Sequence, residues 1–262
     1  MLLTLSAKSF QKEIQSRRSG SMSLTDLPKH AHHELGLNGL IIQTSLLAGW
    51  DTKEIERLRD AADKAACPCL MLVEDREHVI ESLDDPKFAE IEDRMERVLR
   101  VAHRLGCAGV AMSAVVSNKP DAIDEAAEAL KNIVTRAERL ELNLLLASCK
   151  GVASTPEGVT SLIRKIGGFR IGSYPEFSEA TKSPDRDSFL RSLAPYASAI
   201  SATATGAGAN GKGIDVASCL RAIRAVGYDG TLAIEFVGSG DPTEGVAQTR
   251  TIVEGVLEEP AV

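Results

Sequence analysis

Eight short apolar runs recur along the chain, each followed by a segment with helical spacing, and this beat constrains the fold more than any other feature. The runs are LLTLS (2–6), GLIIQTS (39–45), CLMLVE (69–74), GVAMSAVV (109–116), NLLLAS (143–148), FRIGS (169–173), SAISATAT (198–205) and TLAIEFV (231–237). They are continuous rather than alternating in polarity, as expected of parallel strands covered on both faces. FRIGS is the weakest of them. Eight strands alternating with eight crossovers in 262 residues is the count of a single (β/α)8 TIM barrel over residues 1–262. A doubly wound open sheet is the competing arrangement, because a list of strands does not prove closure.

The intervening segments carry helix signals. DTKEIERLRDAADKAA opens on an Asp N-cap and puts Ile55, Leu58, Ala62 and Ala65 on one face. DDPKFAEIEDRMERVLRVAHRLG has proline near its start and Gly106 at its end. DAIDEAAEALKNIVTRAERL and TPEGVTSLIRKIGG follow the same logic, the latter with Thr155 as a cap but no capping box. DPTEGVAQTRTIVEGVL closes the series with Asp241 as cap and Pro242 at the first helical position. After the sixth strand only a short helix is expected, within 184–196.

Composition narrows the function classes. Hydrophobic residues make up 44% and aromatics only 4%, a core of Leu, Ile, Val and Ala. A net charge of −7 lacks the basic stripe that phosphate neutralisation needs, so nucleic acid is not an expected partner. No apolar run approaches a membrane span, and MLLTL is too short for a signal-peptide core. Cys67, Cys69, Cys107, Cys149 and Cys219 read as reduced thiols of a cytoplasmic protein. CPC at 67–69 is a poor metal site, since its proline fixes an extended turn with no second Cys/His pair nearby.

The stretch SATATGAGANGKGIDVASCL (201–220) fits two nucleotide signatures at once: G-x-G-x-x-G, and most of G-x-x-x-x-G-K-[ST]. The context argues against both. Asp229 falls in a turn rather than at the end of the next strand, and Gly213 stands where a magnesium-binding hydroxyl is needed. No nucleotide is expected. The loop follows strand seven, however, and loops after strands seven and eight hold phosphate in many TIM barrels, so Lys212 is a candidate for a substrate phosphate.

In such a barrel the reactive groups sit at the C-terminal strand ends. Those ends offer Gln43 and Ser45; Glu74 and Asp75; Ser117 and Asn118; Ser148, Cys149 and Lys150; Tyr174 and Glu176; Ser201, Thr203 and Thr205; and Glu235. Glu235 interrupts an apolar strand, where a carboxylate is costly to bury unless paired or bound to a cation. Glu74 and Asp75 close a strand and read as a solvated edge, with Glu74 and Tyr174 open to a substrate.

GYDGTLAIEFVGSGDPTEGVAQTRTIV (227–253) resembles the closing segment of the sugar phosphate isomerase/epimerase family, the xylose isomerase-like TIM barrels. HELGLNGLIIQ resembles that family's step from helix one to strand two, STPEGVTSLIRKIG its helix after strand five, and IGSYPEF its strand-six segment. The resemblance runs from roughly Leu3 to Val256. It implies a divalent metal held by a glutamate on strand five, an aspartate on strand six, a histidine on strand seven and a glutamate on strand eight, with carboxylates moving a proton on and off a sugar carbon. Carried over by position, these fall on Ala147, Glu176, Ser201 and Glu235, with Thr203 where a lysine is often seen. Only Glu235 matches in type.

The five histidines, His30, His32, His33, His78 and His103, all lie in the first half, so none from strands five to eight can ligate a metal. The H-x-H-H cluster reads as a helix face. Glu176 and Glu235 could hold Mn, Mg, Co or Zn through retained waters, more weakly than a four-ligand site. Alternatively Lys150, near Ala147, supplies positive charge in the metal's place, as stabiliser or base. The resemblance thus implies an isomerase or epimerase acting on a small carbohydrate with Glu235, Glu176 and Lys150 as catalytic groups. The alternative is a non-catalytic carbohydrate- or partner-binding barrel. A homo-oligomer is left open. The DNA-repair endonuclease branch needs a histidine-rich metal cluster and a basic surface, and this chain has neither.

Overall fold

A computed structural model of the chain describes residues 1–16, 22–119, 121–147, 150–206 and 213–260. Eight barrel strands run parallel: β1 (Leu2–Ser6), β2 (Leu40–Gln43), β3 (Cys69–Ile80), β4 (Gly109–Val116), β5 (Asn143–Leu146), β6 (Ile171–Ser173), β7 (Ala199–Ala204) and β8 (Thr231–Phe236). Their spatial order is β6-β5-β4-β3-β2-β1-β8-β7, so the first strand lies beside the last. The register runs Leu5 to Leu40, Ile41 to Met71, Met71 to Gly109, Gly109 to Asn143, Leu144 to Ile171, and Leu2 to Thr231 to Ala199.

The two ends of that path meet. Isolated parallel bridges join Ser173 to Ala197 and Glu176 to Ser201. The Ser201 amide donates to the Pro175 carbonyl at 2.9 Å, and Ser173 Oγ donates to the Leu193 carbonyl at 2.9 Å. The sheet is therefore a closed barrel rather than a doubly wound layer, with no long open edge.

Burial on both faces of each strand explains the continuous apolar runs. Ile41, Met71, Ala111, Leu145, Ala147, Tyr174, Ala199 and Ala233 form a cluster of their own inside the barrel. Their neighbours of opposite parity, among them Leu40, Ile42, Leu72, Val110, Leu144, Ile200, Leu232 and Ile234, join a larger cluster under the helices. Each buried Leu or Ile there contributes roughly 1.5–3 kcal/mol. Alanines at four of the inner positions leave room for Met71 and Leu145, which plug the barrel.

The covering helices are α1 (Leu27–His33), α2 (Thr52–Lys64), α3 (Pro86–Leu105), α4 (Ala122–Arg139), α5 (Pro156–Ile166), α6 (Arg186–Leu193), α7 (Val216–Arg224) and α8 (Pro242–Leu257). Asp51 and Glu54 form a full capping box on α2, and Asp85 and Asp241 cap α3 and α8. Gly106 ends α3 in the left-handed region at φ 78°, a conformation that glycine adopts without a Cβ penalty. Thr155 Oγ1 accepts from the Gly158 amide at 3.2 Å. No helix among the described residues is long and apolar enough to cross a membrane. The four described cysteines are free and buried, and burial pushes the Cys67 thiol up to about 11.

Two departures from the sequence reading matter. A two-residue strand, Lys150–Gly151, pairs with Val115 and Val116 beyond the end of β5. Strand β3 continues six residues past Glu74, with a register shift between Glu74 and Glu77 against β4. Just before that shift Glu74, with the parity of Leu72, points outward into the layer between barrel and helices and is completely buried. Its Oε2 accepts from Arg94 of α3 at 2.7 Å and from Thr44 Oγ1 at 3.0 Å, and His78 Nε2 lies 3.7 Å from Oε1. Burial pushes the Glu74 carboxyl up, but His78, Arg94 and Thr44 together outweigh it and hold it down at about 2. Glu74 is thus no solvated edge, and its carboxylate is committed to Arg94.

Breaking a buried pair from one side leaves the other charge uncompensated. Arg94→Met is therefore expected to destabilise the fold by about 3–5 kcal/mol in urea titrations. The double change Arg94→Met with Glu74→Leu should recover most of that loss.

Candidate active site

Above the apolar plug, the inward positions at the C-terminal strand ends turn polar: Ser6 on β1, Gln43 on β2, Ser201 and Thr203 on β7, and Glu235 on β8. Glu235 is only 3% exposed. Its Oε1 accepts from Lys8 Nζ at 2.9 Å, and its Oε2 from Ser6 Oγ at 2.8 Å. Ser6 Oγ in turn accepts from Gln43 Nε2 at 3.2 Å. Gln43 Oε1 is buried and, among the described residues, has no hydrogen-bond donor.

Lys8 comes from the 3₁₀ turn Ala7–Phe10 that follows β1. That turn is fastened to β8 by the Phe236 amide, which donates to Ser9 Oγ at 2.9 Å. Burial on its own would lower the Lys8 pKa. The charge and hydrogen bond of Glu235, with Glu176 and Asp75 behind, outweigh burial and raise it, so the ammonium stays charged.

Glu176 sits at the closing bridge to Ser201. A run of hydroxyls leads to it: Ser201 Oγ lies 3.1 Å from Thr203 Oγ1, which donates to Ser178 Oγ at 3.5 Å, and Ser178 Oγ donates to Glu176 Oε2 at 3.4 Å. Burial first, and then repulsion from Glu235, push the Glu176 carboxyl up to about 7, while Lys8 pulls the other way. Tyr174, fully buried below, is pushed well above the usual phenol range by burial and by both glutamates, so it remains a neutral hydroxyl. A cavity of about 420 Å³ beside them is lined by Ala147, Lys150, Tyr174, Glu176, Glu179 and Lys182, among others.

The residues singled out in the sequence are distributed unevenly. Glu235, Glu176 and Tyr174 interact with one another electrostatically. Lys150 lines the cavity, but its side chain is mostly exposed and ion-paired with Glu77. The cation at Glu235 is Lys8, which the reading of strand ends passed over, as it did the engagement of Gln43. Glu74 faces Arg94 instead of this layer. Lys212 lies outside the described residues. His30 packs edge-on against Phe10 and contacts Thr243 Oγ1 at 3.3 Å. Among the described residues no group of three or more His, Cys, Asp or Glu could hold a metal ion.

A closed eight-stranded parallel barrel with a polar, carboxylate-bearing C-terminal mouth defines a TIM-barrel protein of the kind that builds its site from strand ends. The sequence model of the xylose isomerase-like TIM barrel family matches residues 30–254, and the chain belongs to that family. Among solved structures, L-ribulose 3-epimerase is similar at 17% identity and TM-score 0.78, covering 98% of this chain and 95% of that one. The probable 3-DHS dehydratase AsbF involved in petrobactin synthesis, from Bacillus anthracis, shares 12% identity at TM-score 0.73, over 97% and 99% of the two chains. IolI protein with a bound zinc atom shares 13% at TM-score 0.73, over 98% and 96%. At these identities the likeness concerns the fold. No curated protein gives a significant sequence match.

A carboxyl raised in the folded state binds more protons there than in the unfolded chain, so its contribution to stability is fully present below about 4.5 and lost as pH rises through about 7. Glu176→Gln removes that loss. The variant should melt with the parent near pH 4.5 and roughly 4–8 °C above it at pH 8, read by calorimetry across the pH series.

Proposed function

We propose that the barrel mouth binds a small carbohydrate, a ketose, an aldose or a phosphate of one, and acts on it as an isomerase or epimerase. The observation that carries this reading is the buried polar line Gln43–Ser6–Glu235, capped by the half-exposed Lys8 at one end and by an unsatisfied Gln43 Oε1 at the other. A buried acceptor without a donor is costly, and a sugar hydroxyl is the donor that would relieve it. Family membership supports a ligand of this class.

Glu176 is the acid–base group, because a carboxyl near 7 is half ionised at neutral pH and can both take and return a proton. Ionised Glu176 takes the proton from the carbon beside the carbonyl. The electron pair of that C–H bond moves into the carbonyl and gives an enediolate. The proton then returns to the neighbouring carbon while a hydroxyl proton crosses between the two oxygens, and the product is the isomer. Inversion at one carbon needs two groups on opposite faces: the Glu235 carboxylate would take the proton from one face and protonated Glu176 return one to the other.

The donors do not fit a divalent metal of the family pattern. Ala147 offers no ligand atom, Ser201 offers a hydroxyl shared with Thr203, and both oxygens of Glu235 already accept from Lys8 and Ser6. No step is routed through Mn, Mg, Co or Zn. The occupied Glu235 also favours a second reading, a barrel that binds its carbohydrate without turnover.

Incubation with ketopentoses, ketohexoses and their phosphates in D2O separates the two. The first reading expects ligand-induced melting shifts and one solvent deuteron at the carbon beside the carbonyl, slowed about 100-fold or more in Glu176→Gln. Binding without deuterium uptake supports the second reading, and no binding by any sugar sinks both.

A further inference from the structure

Two carboxylates share the polar layer, and Lys8 is the cation that acts on both: Glu235 by a direct 2.9 Å contact, Glu176 through its field. The ammonium is held there covalently and positionally. Its turn is pinned to β8 through Ser9 and the Phe236 amide, one residue past Glu235. Ser6, two residues before Lys8, holds the other Glu235 oxygen.

We propose that the Lys8 ammonium is the resident cation of this site, standing where the family pattern puts a divalent metal, so that the site works independently of metal. Two features carry the assignment. A divalent ion on Glu235 would have to displace Lys8 or bind beside it, and two adjacent cations repel. Two of the four family ligand positions, Ala147 and Ser201, carry no charged ligand, so nothing compensates for that repulsion.

An ammonium can also do the electrostatic part of a metal's work. Its N–H groups donate to an oxygen as charge develops on it, and its fixed place beside Glu235 requires no reorganisation. Hydrogen-bonded to Glu235 at 2.9 Å, the ammonium has no lone pair with which to attack a carbonyl, and its role is that of a charged donor. This electrophilic half rests on the carbohydrate reading. The replacement of the metal does not, and it is testable with no sugar present.

The test is a Mn²⁺ titration of the full chain, metal-stripped and untagged, followed by melting temperature and by bound metal per chain. The parent protein is expected to show no saturable shift up to about 1 mM Mn²⁺. Lys8→Met, which frees both glutamates, should gain a saturable shift of about 5 °C, with at least about tenfold tighter binding, abolished by adding Glu235→Gln. Lys8→Gln keeps a donor to Glu235 and serves if the methionine variant folds poorly, judged by circular dichroism; it should gain affinity too. Stoichiometric, Glu235-dependent metal in the parent would overturn the inference. So would Lys8 variants that fold and bind Mn²⁺ no better than the parent. Either result leaves the sugar-binding reading standing, because that reading is decided by ligand shifts and deuterium uptake.

Discussion

The structure depends on ring closure. Seven of the eight strand-to-strand joins are hydrogen-bonded ladders, while the eighth, between β6 and β7, consists of isolated bridges at Ser173 and Glu176 with a hydrogen bond from the Ser201 amide to the Pro175 carbonyl. Closure at this seam lets every parallel strand bury both faces, and the continuous apolar runs require that. It also decides where Glu176 sits. The carboxylate leaves the chain at the sparsest join of the barrel, where the strand is three residues long and the backbone turns directly into the helical turn Phe177–Ala180.

Electrostatics in the mouth follow from that placement and from the plug beneath it. Ile41, Met71 and Leu145 keep water out from below, so charges in the layer above are poorly screened. Two glutamates there cannot both ionise freely. Lys8 touches Glu235 and reaches Glu176 only through its field, and Glu176 is pushed up to about 7. A further buried carboxylate, Glu74 on the outer face of β3, meets the opposite outcome, because an arginine, a histidine and a threonine converge on it. The two carboxyls differ by what surrounds them, and the strand register chose those surroundings.

Strand and helix positions were largely legible in the sequence because they rest on local signals: apolar runs, Asp and Thr caps, proline at helix starts, Gly106 at a helix end. The strands at 2–6 and 109–116 have the bounds expected of them. The site was only half legible. Glu235 was marked by its apolar neighbours and Glu176 by position. Lys8 was missed because it follows the first strand by two residues, in a turn whose inward direction depends on the pairing of β1 with β8, 227 residues away. Its signal was present: the first βα turn holds a lysine two residues after LLTLS, and every βα turn of a barrel opens on the same face. Glu74 was misread because the apolar run ends on it: alternation with inward Met71 and Val73 and outward Leu72 turns it outward, but the strand runs on to Ile80 and Arg94, 20 residues later, covers it. Lys150 was favoured for its nearness to Ala147 in sequence, but pairing with Val115 carries it to the rim and to Glu77.

The distance along the chain between Lys8 and Glu235 has a consequence for synthesis. At ribosomal rates of about 5–20 residues per second, the lysine emerges on the order of ten seconds or more before its carboxylate partner. Until then β1 has only one of its two neighbours, and its inner face carries an ammonium with nothing to answer it. The ion pair is therefore among the last contacts that a nascent chain can make. Forming it joins the first strand to the last, so the same event that completes the wall also sets the charge of the mouth.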